Sequence, residues 1–305
     1  MSETRYPAPP TPLVPLRLEA DGPVIWCKLE YLNASGSTKD RIASYILGKA
    51  LTRGEVAPGG WVVEASSGST SIAMALCCAR MGLRFTAVMP EGVSGERVLM
   101  IRAYGAEVVL SPRADGIHGA LREAQRIAGE TGAFLPRQFS NRDNAEAHRR
   151  GTAEEILGQL PGGRVDAVVS GVGTGGTLVG LFRGFTDHGC AVRPFCARPV
   201  TGDVVSDVEC CCFSARIPGV MEGLSTLYQP SRLKGLVEIE VEDEEALDVA
   251  RRLIRLGYPV GPSSGLNHRA AQLAARQLPP DSVIVTVFPD RMERYFSTEL
   301  FAPYR

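Results

Sequence analysis

The chain has 305 residues, of which 44% are hydrophobic and 22% are charged, and its formal net charge is −1. These values are typical of a globular protein with one large domain or two smaller ones, and they give no sign of a nucleic-acid or membrane partner. No stretch approaches the ~20 apolar residues of a membrane helix, and the N-terminus lacks a signal-peptide pattern. The eight cysteines lack the spacing of a zinc site, so we expect a cytoplasmic protein with reduced thiols and no metal.

Apolar runs of strand length alternate with helix-length amphipathic segments along the chain. The strand candidates are Trp61–Ala65, Phe85–Met89, Glu107–Leu110, Val165–Ser170, Leu236–Val241 and Ser282–Phe288. The last is apolar almost throughout, as expected for a strand covered on both faces. A helix is predicted after Glu242, because acidic residues open it, arginines close it and Gly257 follows. This alternation predicts an α/β fold with parallel sheets.

The segment from Lys28 to Arg41 places a lysine at the start of a predicted helix. A short strand is followed by a Ser/Gly turn, and Lys39 lies in the first helical turn, with Ser37 as the candidate N-cap. The partial positive charge of a helix N-terminus disfavours a protonated amine and favours a nucleophilic one. On this segment alone, a solvated surface lysine is an equally good interpretation. The candidates for amine chemistry are limited to four residues: Lys28, Lys39, Lys49 and Lys234.

Two further loops each join a strand to a helix. The first reads Ser170-Gly-Val-Gly-Thr-Gly-Gly-Thr177, and its backbone N–H groups together with the next helix dipole suit a monophosphate. It lacks the ending of a P-loop and the spacing of a dinucleotide fingerprint, and a tight turn without a ligand is the alternative. A side chain in place of Gly175 or Gly176 is expected to crowd the anion or its backbone cradle. The second loop, Glu64-Ala-Ser-Ser-Gly-Ser-Thr-Ser71, offers hydroxyl and N–H groups to a carboxylate.

Together these motifs resemble the fold-type-II pyridoxal-phosphate enzymes of the cysteine synthase (O-acetylserine sulfhydrylase) and cystathionine β-synthase group, and within it the B-type cysteine synthases. The resemblance runs from Thr11 almost to the C-terminus. Further matching segments are Met89-Pro-Glu91 with Glu96-Arg97, Tyr104-Gly-Ala106, Gln138-Phe139, Gly261-Pro-Ser-Ser-Gly265, and Pro289-Asp290 with Arg294-Tyr-Phe-Ser-Thr298.

The resemblance implies an architecture and a set of partners. It implies two α/β domains, each with a mainly parallel sheet, and pyridoxal 5′-phosphate in the cleft between them. We expect a smaller domain of residues 36–148, a larger domain of residues 11–35 and 149–305, and a flexible arm of residues 1–10. A homodimer acting on a small-molecule amino acid with a small nucleophile is expected by the same analogy.

The resemblance also implies a role for each site residue. Lys39 would form the Schiff base with the cofactor and later move the Cα proton. The cofactor phosphate would be bound by Gly173, Thr174, Gly175, Gly176 and Thr177. The substrate carboxylate would be bound by Ser66, Ser67, Gly68, Ser69 and Thr70, with Gln138 assisting. Ser263 would face the pyridine nitrogen and leave it largely unprotonated, which favours elimination over transamination.

The chain departs from the family pattern in several places. Ser69 replaces an Asn that also contacts the cofactor's 3′ oxygen, and Ser71 replaces a Gly. Arg198 replaces a Glu, and Arg291-Met292 replaces a pair of small residues. The unusual segment Val204–Gly223, which contains Cys210–Cys212, is expected to border the active-site mouth. We therefore expect a native substrate with an additional anionic or larger group near Ser69 and Arg291.

The predicted reaction is β-replacement at an O-activated L-serine, in which the β-leaving group departs and a nucleophile adds at the same carbon. One alternative is elimination without re-addition, as in serine or cysteine lyases, and another is amination to a 2,3-diaminopropionate-type product. An alternative of another class is a catalytically silent regulator that binds a partner at the cleft. The presence of Lys39 argues against that last alternative.

Overall fold

The computed structural model describes residues 8–200 and 225–305. The strands within these ranges are β1 (Leu13–Leu16), β2 (Ile25–Lys28), β3 (Trp61–Ala65), β4 (Arg84–Pro90), β5 (Glu107–Ser111), β6 (Ala167–Gly171), β7 (Arg193–Val200), β8 (Val237–Glu242) and β9 (Ile284–Val287). The α-helices are α1 (Lys39–Arg53), α2 (Ser69–Met81), α3 (Gly95–Ala103), α4 (Gly116–Thr131), α5 (Asp143–Ala147), α6 (Ala153–Gln159), α7 (Gly176–Asp187), α8 (Asp243–Arg255) and α9 (Pro262–Ala275). A π-helical stretch, His148–Thr152, joins α5 to α6, and 3₁₀ helices cover Glu30–Leu32, Arg113–Asp115, Pro230–Arg232, Met292–Tyr295 and Glu299–Tyr304.

The strands form two sheets. The larger sheet has the order β1-β2-β9-β6-β7-β8, and the smaller has the order β3-β4-β5. Every neighbouring pair is parallel except β1 with β2. Parallel neighbours require crossover connections, usually helical, between successive strands, so the predicted α/β fold with mainly parallel sheets is confirmed.

Helices cover both faces of each sheet. In the larger sheet, Phe195 packs in one core cluster with α8 and α9, whereas its neighbour Cys196 packs in another with α6 and α7. In the smaller sheet, Val62 packs with α1 and α2, whereas Val63 packs with α4. Successive strand residues point to opposite faces, and both faces are apolar, which is why these strands read as continuous apolar runs.

The predicted elements are confirmed with small shifts at their ends. The helix predicted after Glu242 is α8, with Glu242 at its N-cap position and Gly257 in a left-handed conformation beyond its end. No strand was predicted at β7, which carries Pro194 and Pro199, because proline within an apolar run argues against a strand. The domain bounds stay a prediction, although the smaller sheet takes its strands from residues 61–111 alone.

Two expectations fall outside the described residues. They are the part of the N-terminal arm that covers residues 1–7, and the segment Val204–Gly223 with its three cysteines. Across residues 8–200 and 225–305, the helices are too short or too polar to span a membrane.

Candidate active site

One cleft is lined by the three sequence segments that contain the predicted site residues. Its empty volume, including space open to solvent, is about 960 Å³. It lies at the carboxyl ends of parallel strands β3, β6 and β9, where open α/β sheets bind their ligands. The predicted site residues that line it are Lys39, Ser66, Ser67, Gly68, Ser69, Thr70, Gln138, Gly173, Thr174, Gly175, Thr177 and Ser263. Gly176 is the predicted site residue that is not part of this lining.

Lys39 is the first residue of α1. The helix begins one residue later than a Ser37 cap predicts, because Thr38 occupies the N-cap position, but the Ser37 hydroxyl accepts the Lys39 N–H at 3.2 Å. The Thr38 N–H donates to the carbonyl of Pro289 at 2.8 Å. The start of α1 is therefore fixed to the segment that follows β9, and the Lys39 side chain enters the cleft from there.

The other lysine of the predicted motif serves a different purpose. Lys28 is fully buried, and its Nζ contacts Glu155 at 2.8 Å and the carbonyl of Thr11 at 2.6 Å. Burial lowers the pKa of Lys28, with the neighbouring Glu155 acting in the opposite direction. Of the two lysines in this motif, Lys39 is the one that lines the cleft.

The glycine loop, residues 171–177, connects β6 to α7. Gly173 lines the cleft, and a Cβ built there meets no atom within 4 Å, so the space beside it is open to a ligand. Gly175 has φ of +84°, and a Cβ there would lie 2.6 Å from Cβ of Tyr228. The loop can therefore keep its shape only with glycine at 175, and it offers N–H groups at the start of a helix, where anions bind.

Gly176 allows the side chain of Asn144 to pack directly behind the loop. A Cβ at this position would lie 2.6 Å from Asn144 Cγ and would overlap its Oδ1. The Asn144 amide donates to the Thr174 hydroxyl at 3.0 Å and to the Gln138 carbonyl at 2.7 Å. The expectation that a side chain at Gly176 would crowd the anion or its cradle is thus incomplete, because the side chain would first displace Asn144.

The serine loop, residues 66–71, connects β3 to α2 and is held largely by its own hydroxyls. Ser66 Oγ accepts the N–H groups of Gly68 at 3.2 Å and of Ser71 at 3.1 Å, and lies 2.6 Å from Ser71 Oγ. The departure from Gly at Ser71 thus provides a buried partner for Ser66. Thr70 Oγ1 donates to Gln138 Oε1 at 2.6 Å, which brings the two predicted carboxylate-binding segments together.

A buried carboxylate lies beneath this pair of segments. Glu64 Oε1 accepts the Ala65 N–H at 2.9 Å, and Oε2 accepts the Gln138 N–H at 3.1 Å. Burial raises the pKa of Glu64 to about 7, and the backbone N–H groups oppose that shift. Glu64 was part of the sequence motif without a predicted role, since its partner Gln138 is distant in sequence.

Polar residues behind the cleft fix its remaining walls. Ser263 is buried in the first turn of α9, and Asn267, one turn later, accepts the Gly171 N–H at 2.7 Å and donates to the Val287 carbonyl at 2.8 Å. The Thr177 hydroxyl lies 3.2 Å from Nε2 of His148. Burial lowers the pKa of His148 to about 3, so it supports Thr177 as a neutral side chain.

Ser69 contacts Arg294, an arginine to which the sequence assigned no role. Arg291 is half exposed, pairs with Glu293 at 2.5 Å and is not part of the cleft lining. Instead Arg294 Nη1 donates to Ser69 Oγ at 3.0 Å, and Ser69 Oγ donates to Asp290 Oδ2 at 3.3 Å. The expectation of an additional substrate group near Ser69 and Arg291 stays a prediction. Arg198, another departure from the family pattern, pairs with Glu238 on the surface and is not part of the cleft lining.

These groups fit pyridoxal 5′-phosphate. The cleft holds one amine able to bond a carbonyl carbon, a glycine loop with open space beside Gly173, and a hydroxyl near the start of α9. An aldehyde, a phosphate and a heteroaromatic nitrogen require these three kinds of partner.

Comparison with known proteins gives the same assignment. The family model described as "Pyridoxal-phosphate dependent enzyme" matches residues 5–290. A cysteine synthase from Staphylococcus aureus is 37% identical over 298 residues, which cover 96% of this chain and 94% of the relative.

Two solved structures are similar in both fold and sequence. An O-ureido-L-serine synthase has a TM-score of 0.83 at 35% identity, covering 95% of this chain and 92% of the other. A hydrogen sulfide-producing enzyme from Fusobacterium nucleatum has a TM-score of 0.85 at 35% identity, covering 95% and 88%. The resemblance seen in the sequence and the fold-type-II architecture are thereby confirmed, and the chain belongs to the pyridoxal-phosphate-dependent enzymes, with pyridoxal 5′-phosphate as its cofactor.

Proposed function

We propose that this enzyme catalyses β-replacement at an O-activated L-serine, with Lys39 as the residue that holds the cofactor. The observation that carries the proposal is the convergence of Lys39, the glycine loop and the serine loop on one cleft. Similarity to proteins named cysteine synthase and O-ureido-L-serine synthase supports this reaction class.

In this proposal, the two loops of the cleft bind the ligands and Lys39 transfers a proton. When bound, the cofactor withdraws electrons from a substrate amino acid, which acidifies the Cα–H and lets a β-substituent leave. Lys39 Nζ would hold the cofactor at rest and would take the Cα proton during turnover. The serine loop and the N-terminus of α2 would bind the substrate carboxylate through N–H and hydroxyl groups, so that the Cα–H is oriented for transfer.

Ser263 supports chemistry at the β-carbon. Ser263 would offer a hydroxyl to the ring nitrogen in place of a carboxylate, so this residue would give a protonated nitrogen no anionic partner. A neutral partner at the ring nitrogen would favour loss of a β-substituent over transamination.

A second candidate is elimination without re-addition. Similarity to the hydrogen sulfide-producing enzyme from Fusobacterium nucleatum favours it. The same residues would act in the same order up to departure of the leaving group, and the two reactions differ only in whether a nucleophile then adds.

A substrate panel separates the two candidates. The holoenzyme is incubated with O-acetyl-L-serine, O-phospho-L-serine, L-serine or L-cysteine, each with and without sulfide, and amino-acid products and pyruvate are quantified by mass spectrometry. Sulfide-dependent formation of cysteine from an O-activated serine supports β-replacement, and pyruvate alone supports elimination. Lys39→Ala should abolish either product, whereas the matched control Lys49→Ala should not. Turnover of none of the four substrates would contradict the proposal.

Three further proposals rest on the family relationship. They are a homodimeric assembly, a cytoplasmic location, and a boundary between residues 36–148 and the remainder of the chain. The separate three-stranded sheet within residues 36–148 supports the last of these.

A further inference from the structure

We infer that the buried pair Arg294 and Asp290 positions the serine loop through the Ser69 hydroxyl, and thereby controls how tightly the substrate carboxylate is held. The identity of that ligand rests on the proposed function. Arg294 and Asp290 are positioning residues in this inference, because they act through Ser69.

The contacts give the Ser69 hydroxyl one orientation. Arg294 Nη1 donates to Ser69 Oγ at 3.0 Å, and Ser69 Oγ donates to Asp290 Oδ2 at 3.3 Å. Asp290 Oδ2 also accepts the Tyr295 hydroxyl at 2.7 Å. A serine hydroxyl has one proton and two lone pairs. Its proton is therefore engaged by the carboxylate and one lone pair by the guanidinium, which fixes Ser69, the first residue of α2, between two charges.

The burial of Arg294 needs a reason other than stability. It is 1% exposed, and within residues 8–200 and 225–305 it donates to two neutral oxygens, the Ser69 hydroxyl and the Ser35 carbonyl, the latter at 2.6 Å. A buried guanidinium costs free energy unless it is paired, and a well-packed apolar side chain is often at least as stabilising. Asp290 faces this charge across the Ser69 hydroxyl, and Asp40, which accepts the Ser35 N–H at 3.1 Å, interacts with it electrostatically from the Ser35 side. The guanidinium is thus held between two carboxylates, and Ser69 is the residue that links it to the serine loop.

A second buried arginine contacts the same loop. Arg97 of α3 is 1% exposed, and its Nη1 donates to the Ser67 carbonyl at 3.1 Å. Its guanidinium lies 5.1 Å from the centre of the Tyr295 ring, and a Cβ at Gly68 would overlap its Cδ. Arg97 thus fixes the loop to the smaller sheet's helices, and Arg294 fixes it to the segment after β9.

The arrangement predicts an effect on binding rather than on the chemical step. The N–H groups at the start of α2 meet the substrate carboxylate, and Ser69 sets their place relative to Lys39. Loss of the Arg294 contact should loosen the loop and raise KM, while proton transfer at Lys39 continues at nearly the same rate. A purely structural role would instead lower stability and cofactor content.

The test uses the holoenzyme with Arg294→Met, Arg294→Lys, Ser69→Ala and the double variant Ser69→Ala/Arg294→Met. Arg291→Met is the matched control, since Arg291 is a neighbouring arginine that pairs with Glu293. Amide hydrogen exchange of the peptide that covers residues 66–71 is measured together with KM and kcat for O-acetyl-L-serine. Arg294→Met and Ser69→Ala should each raise both the exchange rate and KM about tenfold, with kcat changed by less than about threefold. The double variant should be no worse than either single variant, since both remove the same contact.

Arg294→Lys should keep part of the contact with Ser69 and therefore raise the exchange rate and KM less than Arg294→Met does. Arg291→Met should behave as the unmodified enzyme. Unchanged exchange of the 66–71 peptide in Arg294→Met and Ser69→Ala would overturn the inference, as would multiplicative effects in the double variant. If Arg294→Met does not fold, Ser69→Ala and Arg294→Lys decide the same question. Hydrogen exchange needs no turnover, so an enzyme inactive on O-acetyl-L-serine would contradict the proposed function and leave the exchange result to decide this inference.

Discussion

Substitution by alanine should have different effects at two glycines of the glycine loop: one on cofactor binding and the other on the stability of the fold. Both lie within four residues of each other, and both were predicted to contact the cofactor phosphate. A Cβ at Gly173 meets no atom within 4 Å, whereas a Cβ at Gly176 would lie 2.6 Å from Asn144 Cγ. Gly173→Ala should therefore act on the ligand alone, and Gly176→Ala should act on the packing of the chain.

The magnitudes follow from these contacts. Asn144 is 1% exposed and cannot move into solvent, so Gly176→Ala combines overpacking, about 1–3 kcal/mol, with weakened hydrogen bonds to Thr174 and Gln138, about 1 kcal/mol each. We expect the free energy of unfolding to fall by about 3–5 kcal/mol. Gly173→Ala should change it by less than about 0.5 kcal/mol, while the added methyl group weakens cofactor binding about tenfold or more, or 1.4 kcal/mol.

Urea unfolding of the cofactor-free protein and titration with pyridoxal 5′-phosphate measure the two effects separately. Gly173→Ala with unaltered cofactor affinity would mean that the loop is a turn and not a phosphate cradle. Gly176→Ala with an unaltered unfolding midpoint would contradict the packing argument from Asn144.

Three other predictions concern pH, specificity and assembly. Burial raises the pKa of Glu64 from 4.5 to about 7. Between these two pH values the folded chain keeps a proton on Glu64 that the unfolded chain releases, so the contribution of Glu64 to the stability of the fold falls as pH rises from about 4.5 through about 7. Between pH 5 and pH 8, the free energy of unfolding should therefore fall by about 2–3 kcal/mol relative to Glu64→Gln in urea titrations, and parallel pH profiles would refute this. Ser69→Asn should raise cysteine synthase activity with O-acetyl-L-serine severalfold, because a carboxamide reaches further and offers two donors, while its oxygen can accept from Arg294 and its N–H can donate to Asp290 as the Ser69 hydroxyl does. Rapid cysteine formation by the unmodified enzyme, unchanged in Ser69→Asn, would instead indicate an ordinary cysteine synthase. Sedimentation at micromolar concentration should show a homodimer, and a monomer would contradict the family analogy.

The strands and helices could be predicted from the sequence where the local pattern agrees with the buried environment. The apolar run Ser282–Phe288 contains β9, whose residues are buried on both faces, and acidic and basic ends marked α8. The strand β7 could not be predicted, because it contains Pro194 and Pro199 and its backbone pairs with β6 and β8 over long sequence separations. Periodicity carries no information on such pairing.

The same distinction applies to the site. Lys39 and the two loops are contiguous motifs, and the sequence shows them directly. The contact between Ser69 and Arg294 joins residues 225 positions apart, and that between Glu64 and Gln138 joins residues 74 apart. Arg291 and Arg294 differ by one turn of a 3₁₀ helix, so only the fold decides which guanidinium faces the serine loop.

Borohydride reduction of the holoenzyme, followed by peptide mapping, identifies the lysine that holds the cofactor. The chain has four lysines, and Lys28 is buried against Glu155. The reduced cofactor is expected on the peptide that contains Lys39 and on no other. Its recovery on a peptide containing Lys28, Lys49 or Lys234, or a colourless protein that takes up no added pyridoxal 5′-phosphate, would contradict the assignment of this cleft as the active site.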